Sequence, residues 1–365
     1  MNKQTNVVKT LKVRVKDKHK SILRRMAFES NQVWNAANAE TSEWCCIPIP
    51  EVGYIRNNIS AFDLQKQLKT IKKERGFIIG SATIQEVIAI HAKARKQFKK
   101  DKLKWRASGG ARRSLGWVPF KARAAKWVNG QVKFAGFFFN VWDSYGLSEF
   151  AFKSGSFSED SRGRWYFNLV VEVKPEKSTG KTSTGIDLGC KETATDSNGY
   201  KIKGREYRKL ESKLGIAQRA NNKNQVKAIH AKIKNRRLDT LHKYSRKLVN
   251  ENAAIFVGNV SSSGLVKTKM AKSVLDAGWS TLKILLKYKA INAGILFEEI
   301  NESYTTQTCS CCGEISSSSP KGRAGLGIRE WTCALCGAKH DRDINAAKNI
   351  LALGHERLAV GIPVL

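Results

Sequence analysis

Two patterns in this 365-residue chain could do chemistry. The first is a cysteine quartet, Cys309-x-x-Cys312 and Cys333-x-x-Cys336, with twenty residues between the pairs. A glycine follows each pair, Gly313 and Gly337, and lets the chain turn so that backbone amides face the thiolates. Four thiolates meet the tetrahedral preference of Zn²⁺, and a set with no open position is structural rather than catalytic. Cys311 lies inside the first pair as a spectator; Cys45, Cys46 and Cys190 follow no pattern and read as small buried residues. The second pattern is acidic. Asp187 closes a short apolar run, Thr184–Gly189 (TGIDLG), and Asp341 and Asp343 open His340–Ile350 (HDRDINAAKNI). Acids at a helix start are commonly caps or dipole partners. An acid ending a buried strand differs, because it costs free energy unless it is paired or bound to metal.

These residues need elements to position them. Residues 6–15 alternate Val8, Leu11, Val13 and Val15 with Lys9, Lys12, Arg14 and Lys16, which predicts a strand with one basic face. Residues 17–105 read as mostly helical, with stripes through Ile22, Met26, Phe28, Val33, Trp34 and Ala37 and through Ile84, Val87, Ile90, Ala94 and Phe98. Residues 117–175 turn β-like, and 175–183 form a polar linker. Beyond it come strands at 184–189, 193–197 and 200–203, with Asn198-Gly199 as a tight turn. A basic helical region over 205–250 breaks into two helices at Asn221 and Asn222. Then follow a buried strand (254–260), a helix over 271–288 with Leu275, Leu282 and Leu286 inward, a strand (295–300) and a final helix. This order suits an RNase H-like α/β sheet, its first three strands an antiparallel meander and the later ones parallel to the first; periodicity would equally fit other α/β sheets.

Lys and Arg number 65 against 31 Asp and Glu, a net charge of +34. That excess repels itself unless a polyanion neutralises it, and nucleic acid is the leading partner. An anionic membrane would require an amphipathic basic helix or an anchor beside a hydrophobic segment, and neither is found. With no apolar run of about 18 residues and no signal-peptide core at the N-terminus, a cytoplasmic protein is expected, prokaryotic and nucleoid-associated. Eight cysteines in such a chain argue for metal in a reducing compartment rather than disulfides. From Lys93 to Lys126 there are thirteen Lys or Arg and one acid, Asp101, with Trp105, Trp117 and Phe120 interleaved. Cations for phosphates beside flat rings suit a nucleic-acid groove. Candidate binding residues are Lys99, Lys100, Lys104, Trp105, Arg106, Arg112, Arg113, Lys121 and Arg123; a solvated basic face over core aromatics is the alternative.

The runs GIDLG (185–189), YTTQTCSCCG (304–313), CALCG (333–337) and DRDINAAKNI (341–350), in this order and spacing, resemble the TnpB family, transposon-encoded relatives of the type V CRISPR effectors. The likeness runs from about residue 184 to 352, and the basic N-terminal half is similar to the family's wedge and recognition domains in composition and length. The resemblance implies a DNA endonuclease guided by a transposon-end RNA, with double-stranded target DNA beside a short flanking motif as its other partner; the oligomeric state is open, with a monomer favoured. It implies one RuvC site with Mg²⁺, in which Asp187 matches the family's first acid and Asp343 its last. The family's second acid, a Glu on the fourth strand, is missing: Ile255–Val260 reads IFVGNV, with Gly258 in that place.

Either the acid has moved to the neighbouring run 297–302 (FEEINE), or the chain is a nuclease-dead, RNA-guided DNA-binding repressor of transcription. A transposase acting without RNA is a third reading. Strand alternation puts Glu299 with Asn301 on one face and Glu298 with Glu302 on the other. Glu299 is the first candidate and Glu302 the second, and Gly258 leaves room for a longer side chain to reach across. The expected metal sets are therefore Asp187, Glu299 and Asp343 for catalytic magnesium, and Cys309, Cys312, Cys333 and Cys336 for structural zinc. The implied architecture is a wedge β-barrel (1–16 and 106–178) with a helical insert (17–105), a RuvC-like nuclease domain (179–308 and 339–355), an inserted zinc ribbon (309–338) and a C-terminal tail (356–365).

Overall fold

A computed structural model describes residues 7–43, 47–49, 53–55, 59–100, 102–175, 177–322 and 324–359. Cys45, Cys46, Asp101 and the end of the 356–365 tail lie outside the described residues. The chain divides into two compact units, Met1–Lys174 and Pro175–Leu365.

In the first unit the basic-faced strand Val7–Val15 pairs antiparallel with Trp165–Val173, Leu11 opposite Leu169 and Val13 opposite Phe167. Five strands form this sheet, in spatial order Trp117–Phe120, Gly155–Glu159, Trp165–Val173, Val7–Val15 and Val141–Trp142. A three-stranded meander joins Ala125–Val128, Gln131–Phe134 and Phe137–Phe139. Alternation sends one face of each inward, and Phe120, Phe134, Phe139, Phe157 and Phe167 form one ring cluster with centroids 5.0–6.1 Å apart. Where a wedge β-barrel was implied, the described strands on this core pair as these two sheets, and Ile47–Ile49 and Gly53–Ile55 pair as a separate hairpin. The helices Lys20–Glu43 and Ser81–Phe98 bury Leu23, Met26, Val33, Ala37, Ile84, Val87 and Ile88. Phe28 and Phe98, expected on those stripes, fall off the buried faces and are exposed.

The second unit has a five-stranded sheet in the order Lys201–Lys203, Glu192–Asp196, Thr182–Asp187, Asn252–Gly258, Leu296–Ile300. The first three are antiparallel, and the last two run parallel to Thr182–Asp187. Alternation along Asn252–Gly258 assigns its two faces. Ile255 and Val257 join a core with Leu241 and Leu248 of helix Lys223–Glu251 and Leu282 and Leu286 of helix Trp279–Ala293. Ala254 and Phe256 pack on the opposite side with Ile350 of helix Arg342–Ala359.

That last helix lies almost directly on the strands. A Cβ at Gly185 would sit 2.1 Å from the Ala347 carbonyl oxygen, and one at Gly354 would sit 2.3 Å from the Phe256 ring. The glycine of GIDLG and the alanines of DRDINAAKNI are thus first a packing device. It brings the helix start, with Asp343, beside the strand end, with Asp187. Two details differ from the expected pattern. Gly278, at φ 74°, divides the 271–288 helix into Ala271–Ala277 and Trp279–Ala293, and Leu275 faces solvent. Asn221 and Asn222 do form the expected break: Asn221 is left-handed at φ 54°, and the Asn222 side chain caps the next helix by accepting from the Gln225 N–H.

Candidate metal centres and nucleic-acid surface

The two Cys-x-x-Cys turns share one backbone design. The Gly313 and Gly337 N–H groups donate to the carbonyls of Cys309 and Cys333, each at 2.9 Å, and both glycines have positive φ. The Cys309 and Cys333 N–H groups donate to the carbonyls of Glu314 and Ala338, again at 2.9 Å. The four thiol sulfurs all lie within 4.8 Å of one another, with Cys309–Cys336 at 3.6 Å and Cys312–Cys333 at 3.8 Å. Such spacings fit a tetrahedron with metal–sulfur bonds of about 2.3 Å, so the donor set suits zinc. His340, which carries no pattern in the sequence, lies 3.0 Å from the Cys309 sulfur through Nε2, with its ring against Trp331.

The quartet is coupled to the last helix by residues that sequence reasoning missed. Asn345 and Asn349 each donate from Nδ2 to the carbonyls of Thr305 and Thr308, at 2.7–3.2 Å. Asn345 Oδ1 also accepts from the Ser310 N–H at 2.9 Å. Together they clamp the run into the first knuckle onto the helix. The available signal was two asparagines four apart in a helical run, where Asn is a weak helix former and needs another reason to be present. Asp341 caps the helix by accepting from the N–H groups of Asp343 and Ile344, and binds Lys201 at 2.5 Å. Burial alone would raise its pKa, but the Lys201 ammonium and these amides hold it below the usual range.

Asp187 stands half-buried at the end of its strand. Burial, then the neighbouring charges of Asp343 and Glu302, push its pKa up to about 7, with Arg342 and the Leu188 N–H opposing. The third acid of this group is Glu302 rather than Glu299. A Cβ at position 258 would lie 2.3 Å from Glu302 Oε2, so this carboxylate fills the space that Gly258 leaves open. Glu302 Oε2 is buried without a hydrogen-bond partner among the described residues. Burial raises its pKa, against the Lys283 charge and the Val260 N–H. Glu299 lies elsewhere: it accepts from Lys283 Nζ at 2.8 Å and is 44% exposed.

The backbone explains the exchange. The strand ends at Ile300, the Asn259 N–H donates to the Ile300 carbonyl at 2.8 Å, and the Glu302 N–H reaches Asn259 Oδ1 at 3.4 Å. The chain therefore folds back across Gly258. Glu298, two side-chain periods earlier on the same face, pairs with Arg357 of the last helix at 2.9 Å. Asp343 pairs with Arg329 of the cysteine-bearing segment at 3.2 Å. Among the described residues only the cysteine quartet has all its ligand atoms within 4.8 Å; the acid trio is more open. Its all-oxygen donor set, with one orphaned buried oxygen, suits a hard divalent cation that keeps some of its water.

The raised pKa of Asp187 carries a pH prediction. A carboxyl whose folded pKa exceeds its unfolded value of 3.8 favours folding fully below about pH 4, and this contribution is lost as pH rises through 7. In metal-free protein, Asp187→Asn is expected to raise the melting temperature at pH 8, by on the order of 1–2 kcal/mol of stability, and to leave it nearly unchanged at pH 4. Calorimetric melts at the two values check this; an equal shift at both would show that the carboxylate charge is not the cause.

The candidate nucleic-acid residues divide in two. Lys99, Lys100, Lys104, Trp105, Arg112 and Arg123 are exposed, and half-buried Lys121 touches Gln85 at 3.3 Å. A ladder of asparagines presents the middle of this segment. Asn38 exchanges two bonds of 2.8 Å with the Leu103 backbone, and Asn35 two of 2.9 Å with that of Arg106. Arg106 and Arg113 are committed internally. The Arg106 guanidinium lies over Trp34 and Trp117 and bonds Asn31 Oδ1 at 2.6 Å and the Leu115 carbonyl at 2.9 Å, and burial lowers its pKa. Arg113 makes a two-pronged pair with the buried Glu159 at 2.7 and 3.0 Å. Arg113→Ala is therefore expected to act on stability. It strands a buried carboxylate and should cost about 2–3 kcal/mol, below the full penalty for a buried pair because Arg24 remains near and Arg113 is partly exposed. Thermal melts of this variant beside Lys104→Ala, which should be silent, test the division.

Residues 167–269 match the family model described as "Probable transposase", and 279–350 match "Cas12f1-like, TNB domain". A Streptomyces pristinaespiralis protein named "Putative RNA-guided DNA endonuclease" is 37% identical over 221 residues, 56% of this chain and 53% of that protein. The "TnpB-like protein L79" of Acanthamoeba polyphaga mimivirus is 28% identical over 233 residues, 55% of this chain and 43% of that protein. Over this stretch the chain is similar to proteins of the TnpB family. It spans about half the length of the curated relatives it matches. The fold of this chain resembles that of the protein in a Cas12f1–sgRNA–target DNA complex, with a TM-score of 0.56 at 13% identity over 94% of this chain and 98% of that one. No helix among its described residues is long and apolar enough to cross a membrane.

Proposed function

We propose that this chain is a member of the TnpB family and an RNA-guided DNA endonuclease whose nuclease site is Asp187, Glu302 and Asp343. The observation that carries the reading is Glu302 occupying the space above Gly258, where it raises the pKa of Asp187 together with Asp343. Three carboxylates held near one another repel, and a divalent cation relieves that cost. Bound magnesium would supply Lewis acidity for attack of water on the phosphorus and for departure of the leaving oxygen.

The protein's own residues orient the site. Asp187 is fixed by its strand, Asp343 by the capped helix start and Glu302 by the fold-back over Gly258. Arg329 sits on Asp343, where a guanidinium can meet a phosphate oxygen. The cysteine quartet would hold zinc and fix the run that leads from Glu302 to the first knuckle. Guide RNA from a transposon end would supply sequence specificity, with the first unit as wedge and recognition domains binding the flanking motif and phosphate backbone of duplex DNA through the exposed cations of 99–123.

The test is cleavage of a matched duplex by the protein coexpressed with the RNA of its own locus, with and without Mg²⁺. Cleavage confined to the matched target supports the reading. Guided binding without cleavage under varied metal and salt would replace it with the repressor reading, and RNA-independent cutting and joining with that of a transposase.

A further inference from the structure

Two residues beyond Glu302, Tyr304 adopts φ +65° and is 66% exposed. A bulky residue in the left-handed region is costly and persists only where its surroundings enforce it. Here they do. The Thr305 N–H and Oγ1 both donate to the Glu302 carbonyl, at 3.2 and 2.8 Å, and the N–H groups of Gln307 and Thr308 donate to that of Tyr304, at 2.8 and 2.9 Å. Asn345 and Asn349 hold Thr305 and Thr308 from the helix. Glycine would occupy such a position without strain. The chain instead carries a large ring that faces solvent and stacks on no other aromatic residue among those described.

We infer that Tyr304 is a stacking platform for an unpaired nucleobase of the DNA strand to be cut, setting that strand's register beside the Asp187, Glu302 and Asp343 carboxylates. This rests on the nuclease reading above. A RuvC-type site acts on a single strand, and a flat ring on a rigid loop holds such a strand without reading its sequence. The hydrogen-bonded loop fixes the Cα–Cβ direction from which the ring projects, so one nucleotide near the cut, rather than the strand at large, should feel it. Tyr304 is a positioning residue here and takes no part in the bond-breaking.

The experiment compares Tyr304→Phe, Tyr304→Ala and Tyr304→Gly in the full chain with its RNA. Guided cleavage is measured on targets carrying one abasic site at successive positions around the cut. Binding of short single-stranded DNA, single-stranded RNA and duplex DNA is followed by fluorescence anisotropy. Tyr304→Gly should melt at or above the wild-type temperature, because strain is released, so that misfolding cannot explain its losses. Tyr304→Ala and Tyr304→Gly should weaken single-stranded DNA binding by roughly five- to a hundredfold, the range for one lost base stack, and Tyr304→Phe should remain near wild type. One abasic position should slow wild type and make no further difference to Tyr304→Ala. If Tyr304→Gly binds and cuts as wild type does, or if the abasic profile is the same in Tyr304→Ala, the platform is disproved while the nuclease reading stands. Preference for single-stranded RNA over DNA would overturn it equally, assigning the ring to the guide. Wild-type protein that never cuts a matched target would remove both readings.

Discussion

Glu302→Gln should abolish Mg²⁺-dependent cleavage while leaving guided DNA binding intact, whereas Glu299→Gln should cut within about fivefold of wild type. The exchange keeps size and removes one negative charge from a site where Oε2 is buried and unbonded. Loss of one preorganised charge in such a site costs roughly a hundred- to thousandfold or more in rate. Glu299 is half-exposed on Lys283, and such pairs contribute only about 0–1 kcal/mol. A second experiment removes ambiguity about folding. Because a Cβ at position 258 would collide with Glu302 Oε2 at 2.3 Å, Gly258→Glu alone should be poorly active. Gly258→Glu combined with Glu302→Gly, which returns the acid to the family's strand position, should recover part of the rate. Single-turnover cleavage beside DNA-binding titrations measures all of these. Loss with Glu299→Gln and none with Glu302→Gln would reverse the assignment.

Zinc removal is the second large effect. Cys333→Ser, or stripping the metal with a strong chelator, should unfold residues 309–338 and silence cleavage. Structural zinc in small modules contributes on the order of 10 kcal/mol, which few weak contacts can replace. The consequence should reach the acids through named bonds. Arg329, which pairs with Asp343, lies between the two knuckles. The Asn345 and Asn349 clamps hold the run that enters the first knuckle. Zinc content by atomic absorption should fall from one ion per chain to none, proteolysis should open in 309–338, and the melting of the first unit should be unchanged. Cys311→Ser is the control, since Cys311 is exposed and outside the quartet. Full cleavage by zinc-free protein would show that the nuclease helix is held without the knuckles.

The spacing of Cys309, Cys312, Cys333 and Cys336 and their two glycines were legible from the chain alone, because a knuckle is a local object whose ligands sit a few residues apart. The strand–meander–helix order of the second unit was legible for a related reason: burial imposes a period of two on strands and near 3.6 on helices. Asp187 could be singled out because an acid ending a buried strand has few inexpensive explanations, whereas Asp343, an acid at a helix start, stood out through the family resemblance.

Other features depended on bonds between distant residues. Arg106 and Arg113 look like phosphate ligands in a basic run, and only the folded chain brings Asn31, Trp34 and Glu159 to them. Alternation placed Glu302 and Glu298 on one face and Glu299 on the other, but not which face carries the acids. That was decided by the last helix, which lies close enough over Gly185 and, through its own Gly354, over Phe256 to bring Asp343 to that side, and by the fold-back at Asn259 that sets Glu302 over Gly258. A missing side chain in a sequence shows only that space is available; which neighbour fills it depends on strand register and helix height, and these are fixed only when the sheet and the helix pack.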